Sequence, residues 1–465
     1  MLKTLIKKEL LDNLLSLRFF ITLLLCVLLI PIGIYVGAQA YQSRVENYRQ
    51  GLALYQDSMQ GTLNPQQVEA KGLRPPSPFS IFADGMDRSI PDEFISTRND
   101  GLKMQNSAAQ DNPLAVLFGR VDLLFVVGVV MSLLATLFTF DATTREKERG
   151  TLRLALANAL PRHLILLGKL FGHLLTFLIP FILSMLIALL ILAVTGTMAI
   201  FDSVNLGRLA LILTTALLFI SAFFTLGIMV STLNHRSLTA QITLLFLWVL
   251  LIFGVPRISG MLAQIIKPVK TLQTVNLETQ LIRKNIEAEK ASALGDALMR
   301  SIGSSNGEDD YDKLREPIVK ALKEKENREI LAIQEDYKHK KAAQTRLAAN
   351  LSRLSPLGSL TFGMTHLAGT GLDDAIRLEQ RARQFHNEAE RDIHNIGWKD
   401  MIPGKGMRMT FGRWITFDEV PRFQHQQRSL AESFQSCWFD ITLLILFNLL
   451  FFAGAYVAFL RYDVR

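Results

Sequence analysis

Six runs of uncharged, apolar residues leave this chain few ways to fold. They are Phe19–Ala40, Leu123–Phe140, Leu174–Val194, Leu209–Leu233, Leu238–Pro256 and Ile441–Leu460. At about 1.5 Å of rise per residue, each is long enough to carry a helix across a hydrocarbon layer roughly 30 Å thick. Apolar residues make up 49% of the 465, and their concentration in these runs argues for one membrane protein with attached segments over several soluble domains. The expected fold class is an all-α polytopic membrane protein with six transmembrane helices.

Lys and Arg sort by side. Lys3, Lys7, Lys8 and Arg18 precede the first run, and Arg145, Lys147, Arg149, Arg153 and Arg162 lie between the second and third. The positive-inside rule then puts both termini in the cytoplasm, with Arg236, Arg461 and Arg465 on the same side. The net charge of +8 follows from basic residues along an inner leaflet and calls for no nucleic acid. Cys26 and Cys437 belong at different depths, which argues against a disulfide.

Residues 1–18 place Leu2, Leu5, Ile6, Leu10, Leu11, Leu14 and Leu15 on one helical face, opposite Lys3, Lys7, Lys8, Glu9 and Asp12. This reads as a cytoplasmic interfacial helix before transmembrane helix 1 at 19–40. Ala38-Gln39-Ala40 resembles a signal-peptidase site, but the apolar run is longer than a usual signal h-region, so the span is expected to be retained. Residues 41–120 form an outer segment, whose first part, Tyr41–Met59, can continue span one as a helix. Pro180 is expected to kink span three.

The third organising feature is the charged patch at 141–163, inside the stretch 121–256 that holds spans two to five. Glu146, Glu148 and Arg149 end at Gly150, which can adopt the left-handed conformation that stops a helix. Thr151 can cap a new amphipathic helix, Leu152–Leu160, closed by Pro161. The residues alone allow an interfacial helix resting on lipid or a docking element. Glu146, Glu148, Gly150, Thr151 and Leu152, followed by Pro161, Arg162, Gly168 and Lys169, resemble the cytoplasmic coupling segment of type-2 ABC exporter permeases.

That resemblance implies an ATPase-coupling role for Glu146, Glu148, Gly150, Thr151, Leu152 and Leu156. The carboxylates would meet basic groups on a partner ATPase, the leucines would fill an apolar groove, and Gly150 would aim the helix. Pro75–Phe82, Leu354–Pro356 and Ala368–Gly371 resemble the permease subset with long outer insertions. Implied partners are cytoplasmic ABC ATPase subunits, a second permease copy or a similar permease, the bilayer, and an extracytoplasmic protein. This chain is expected to bind no cofactor, with ATP and Mg held by the partner. The implied location is the bacterial inner membrane.

Residues 257–437 are too long for a connecting loop and read as an extracytoplasmic helical domain before transmembrane helix 6 and the tail at 438–465. Asn276–Arg300 and Tyr311–Leu354 are helical by composition and spacing and reverse at Ser301–Asp310 into a long antiparallel hairpin. Met407–Phe417 is the expected place for a pair of short strands.

Candidate transport-path residues are Arg120 and Asp122 at the outer end of span two, His173 in span three and Asp440 in span six, set against a plain interfacial or interhelical role for each. No phosphate-cradling Gly-x-x-x-x-Gly-Lys motif and no nucleophile triad or His-Glu-x-x-His motif occurs, so no enzyme is expected. His386 and His394 would lie about 12 Å apart on a helix, too far to share a metal. Two classes remain: an ABC exporter permease, including one that transmits force to the outer side, and a structural or signalling membrane protein whose outer helices bind a partner.

The topology is directly testable. Cysteines placed at Ser58 and Ser304 are expected to react with a membrane-impermeant maleimide in intact cells. Labelling that appears only after permeabilisation would reverse it.

Overall fold

Each apolar run folds as a helix, and each helix outruns its apolar centre. Spans one to six are Leu17–Ser58, Leu123–Glu148, Arg162–Val194, Ser203–Leu233, Ser237–Ile266 and Leu430–Leu460. The computed structural model describes residues 1–60, 68–97, 101–106, 121–152, 161–197, 202–302, 307–398, 420–425 and 428–462. Span one, 42 residues long, is roughly twice the length a hydrocarbon layer needs, so its second half continues beyond the layer as its sequence suggests. It passes through Pro31, as span three passes through Pro180.

Spans two and four are the enclosed pair, each 61% buried, against 22% for span five and 17% for span six. In lipid, helices gain little from hiding apolar surface from one another, so close packing decides which faces meet. Phe177 of span three stands edge-on to both Phe138 of span two and Phe224 of span four, at 5.7 and 5.2 Å. Both Cys26 and Cys437 are buried and unpaired as disulfides.

Two spans carry a widened π-helical turn, at Val126–Met131 and at Leu250–Gly254. Such turns free backbone carbonyls that must find other donors. Ser355 supplies one by donating its hydroxyl to the Leu251 carbonyl at 2.5 Å. Ser132 takes the Gly128 carbonyl at 2.7 Å and accepts from the Trp248 indole at 2.8 Å, joining spans two and five. Ser355 also opens a short buried helix, Pro356–Ala368, lodged between spans four and six and ended by Gly369.

At the end of the bundle holding the start of span two, the proline-rich stretch tucks inward. Phe79, Ile81 and Phe82 are buried with the spans. Ser77 donates to the Ala368 carbonyl at 2.6 Å, and Thr370 donates to the Ala83 carbonyl at 2.8 Å. Two of the three stretches singled out as similar to long-insertion permeases, Pro75–Phe82 and Ala368–Gly371, therefore meet each other.

Beyond them lies a small antiparallel sheet, β1 (Ala70–Leu73), β2 (Glu93–Thr97) and β3 (Gly101–Gln105), in that order. Leu378, Ala382, Phe385 and Ala389 form one stripe of the helix Leu372–Trp398, which packs against the sheet. Phe423 fills the seam, 5.2 Å from Phe94 and edge-on to Phe385 at 5.6 Å. These strands were not foreseen, because four or five residues carry too little alternation to read. The expected pair at Met407–Phe417 lies outside the described residues.

Phe253–Leu354 forms a second compact unit, while Ser355 onward belongs with the first. Within it, helices Leu272–Ser301 and Gly307–Ser352 pair as the expected hairpin, burying Val275, Ile286, Ala297 and Ile330. Glu289 meets Lys325 at 2.8 Å, Arg283 meets Glu326 at 3.6 Å, and Gln344 donates to the Lys267 carbonyl at 2.7 Å, which fixes the antiparallel register. The exposed ion pairs add little stability, so the apolar seam carries the hairpin.

One buried carboxylate holds the sheet end to span one. The Asp87 side chain, fully enclosed, pairs with Arg74 at 2.7 Å and with Arg44 of span one. Asp87→Ala leaves both guanidiniums short of an anion and is expected to cost about 3 kcal/mol or more. Thermal unfolding in detergent measures it; an unchanged Tm would contradict the assignment.

Candidate functional site

The helix of span two loosens at Phe140–Thr143, resumes over Thr144–Glu148, and stops at Gly150, where φ is +71°. An L side chain is disfavoured at that angle, so glycine makes the stop inexpensive. Thr151 and Leu152 begin a new helical turn. The Thr151 hydroxyl donates to the Glu146 carbonyl at 3.4 Å, and the expected helix Leu152–Leu160 that it would cap lies outside the described residues beyond Leu152.

What distinguishes Asp141–Glu148 is how many helix ends it touches. Asp141 accepts two hydrogen bonds from Arg18 at 2.8 and 2.9 Å, and the same guanidinium lies 4.7 Å over the Phe140 ring, so span one is tied in. The backbone N–H groups of Thr143 and Thr144 donate to the Ser231 hydroxyl at 2.9 and 3.2 Å. Lys147 donates to the Thr232 and Asn234 carbonyls at 2.5 and 3.0 Å, answering acceptors left open at the end of span four. It also lies 5.1 Å over the Tyr462 ring, just past span six.

Glu148 caps span five. It accepts from the Ser237 N–H at 2.6 Å and from the Ser237 hydroxyl at 2.8 Å, where a negative charge also suits the helix dipole. Glu146 turns the other way and pairs with Lys169 of span three at 2.8 Å. Both carboxylates, expected to face a partner, are thus engaged within the chain.

Lys169 is only 4% exposed and has a second carboxylate, Glu9, at 3.3 Å. Glu9 belongs to the N-terminal helix Leu2–Leu14. That helix reaches span three because Gly168 and Gly172 lie one turn apart. A Cβ at Gly168 would come within 2.9 Å of the Leu5 Cβ, and one at Gly172 within 2.5 Å of the Glu9 Cβ. The sequence pattern put Glu9 on the polar face; it faces span three instead, while Leu11 and Leu15 are exposed.

Burial disfavours the Glu9 carboxylate, but Lys169, then His173 and Lys8, outweigh it and hold its pKa below the ordinary value. A depressed carboxylate pKa stabilises above the unfolded value, and this contribution fades as pH falls through the folded one. The clamp is therefore intact at neutral pH and weakens below the ordinary carboxylate range.

Leu152 corrects another expectation. Its exposure is 0% and it packs into the protein's own core, so it anchors the segment and offers no side chain to a partner's groove. Arg145, Glu148, Arg149, Gly150 and Thr151 are the exposed residues of the segment. Leu156 and Arg120 lie outside the described residues.

The remaining candidates divide between opposite ends of the bundle. Asp122 caps span two, accepting from the Phe125 and Asp84 N–H groups at 2.8 and 3.0 Å, and burial pushes it up to about 6. Asp440 is fully buried in span six beside Gly363. His173, 4% exposed, donates Nδ1–H to the Lys169 carbonyl at 2.7 Å and sits near Glu9. Among the described residues, no three His, Cys, Asp or Glu side chains converge as metal ligands.

Sequence reasoning missed Glu9, Arg18, Asp141, Ser231 and Ser237 as members of this junction. The readable signal was Gly168-x-x-x-Gly172 with Lys169 set inside it and His173 directly after it. Glu9→Gln and Glu146→Gln each leave Lys169 one carboxylate, whereas the double variant leaves a buried ammonium with none. The double is expected to be less stable than the sum of the singles by about 1–3 kcal/mol in detergent unfolding. Strict additivity would show that the three groups do not act together.

Residues 3–464 match the model of a family described as ABC-2 family transporter protein. No curated protein matches the chain.

Proposed function

The chain belongs to the ABC-2 transporter family and is a multi-pass membrane protein; from that premise we propose that it is the permease subunit of an ABC exporter. A separate cytoplasmic ATPase binds ATP and Mg and performs the hydrolysis, and this chain is non-catalytic. The ATPase docks on the exposed side of Arg145–Thr151 and the adjoining residues 153–160. Both termini and this segment are cytoplasmic, in a bacterial inner membrane. The sheet and the helical hairpin are extracytoplasmic.

One observation carries the reading: Asp141–Glu148 bonds to the ends of spans one, three, four and five. A push on such a segment cannot be absorbed locally. Lys147 passes it to the terminal carbonyls of span four, Glu148 to the first turn of span five, Asp141 to Arg18 and Glu146 to Lys169. Sliding of packed helices is the expected response. Leu152, buried, keeps the docking surface in register with the bundle.

Two permease copies, or this chain and a similar one, face each other so that each ATPase subunit has a docking segment. The work done is export of a substrate or mechanical work on the outer side.

Purification in mild detergent is expected to recover an ABC ATPase with two permease and two ATPase subunits. Gly150→Pro forbids the left-handed turn, and Thr151→Trp crowds an exposed contact. Each is expected to weaken ATPase association by about tenfold or more, worth about 1.4 kcal/mol, without loss of membrane insertion. A complex with one subunit of each kind would contradict the pairing. Unchanged association in both variants would replace docking by the interfacial-helix reading.

A further inference from the structure

At the end of the bundle opposite Asp141–Glu148, a cavity of about 280 Å³ is lined by Arg74, Arg208, Arg377, Arg381, Arg428 and His425. The carboxylates among its described lining residues are Asp374 and Glu432. Both are already engaged. Asp374 meets Arg428 at 2.8 Å and accepts from the Gly371 N–H at 3.2 Å, and Glu432 closes a capping box with Ser429 at the start of span six. Asp87, which answers Arg74, is shared with Arg44. The cavity wall therefore holds more cations than anions.

Three of these arginines are enclosed: Arg74 is 8% exposed, Arg208 6%, and the Arg428 side chain 7%. Arg208 donates one Nη to the Arg428 carbonyl, which brings the two side chains to one wall. Even so, Arg74 Nε, Arg208 Nε and Arg428 Nη2 have no hydrogen-bond partner among the described residues, and neither does His425 Nδ1. Burying guanidinium donors without acceptors is costly, as is burying a charge excess. His425 registers the same field: burial, then Arg74 and Arg381, push it down to about 4, so it is neutral at pH 7.

We propose that this cavity is a binding site for a phosphoryl group, carried by a soluble phosphate ester or by an anionic lipid headgroup. Guanidinium forks pair with planar or tetrahedral oxyanions through two parallel hydrogen bonds. Each of the three buried guanidiniums keeps an N–H nitrogen without an acceptor among the described residues, and a phosphoryl group answers such a cationic wall with three oxygens and up to two charges. The volume accommodates such a group with a few attached atoms. The site stands apart from the docking segment and does not rest on the coupling role.

The test uses the full chain in phosphatidylcholine nanodiscs. Inorganic phosphate or glycerol 3-phosphate, compared with chloride at equal ionic strength, is expected to raise the Tm by mass action, as any ligand of the folded state does. Arg208→Gln is expected to weaken the response about tenfold or more. Arg377→Gln, at an exposed position that cannot unsettle the fold, shifts the midpoint in the same direction. Stabilisation by the soluble ions assigns a soluble ester. Stabilisation seen only when phosphatidylglycerol enters the nanodisc, and weakened by Arg377→Gln, assigns the headgroup. No stabilisation from any of these, or a response that both variants keep in full, overturns the proposal.

Discussion

A buried ammonium group has to be answered by carboxylates, and around Lys169 that requirement gathers three distant parts of the chain. Glu9 comes from the N-terminal helix, Glu146 from the end of span two, and Lys169 itself from span three. Desolvating these groups is expensive, and the carboxylates of Glu9 and Glu146 offset it. Gly168 and Gly172 make the approach possible by removing the side chains that would hold the N-terminal helix away. Once Glu146 is committed inward, Lys147 and Glu148 point to the ends of spans four and five. The junction follows from one ion pair and the helical spacing of its neighbours.

Much of this architecture is written in the sequence at the scale of whole helices. Uncharged runs of span length identify all six spans, and the charged hairpin is legible from its repeated leucines and isoleucines. Gly150 adopts the left-handed turn its position suggests. What escapes the sequence is the direction a side chain takes. Glu9 lies among lysines on a helical wheel, but a long-range partner reverses its face. Leu152 looks like an anchor for another protein, yet the same apolar character serves the chain's own core. The strands escape for a different reason: β1 holds Lys71 and Gly72 and no β-branched residue, so its pairing depends on neighbours.

The two ends of the bundle ask different things of the same helices. One end is a closely wired junction, with charges satisfied inside the chain. At the other, Arg74, Arg208 and Arg428 are buried with donors to spare around a cavity. Span four reaches both, with Arg208 near its start and the Thr232 carbonyl near its end. It is also, with span two, the most enclosed of the six. In the proposed coupling, span four is the helix that would carry displacement between the two ends.

In the proposed coupling, the exposed side of Arg145–Thr151 meets an ATPase. A photo-crosslinking amino acid at Thr151, activated in native membranes, tests this without disturbing the buried contacts. The expected product is a covalent adduct with a protein whose fragments contain a nucleotide-binding Gly-x-x-x-x-Gly-Lys motif. Adducts to lipid alone, with efficient photolysis confirmed, would contradict the claim.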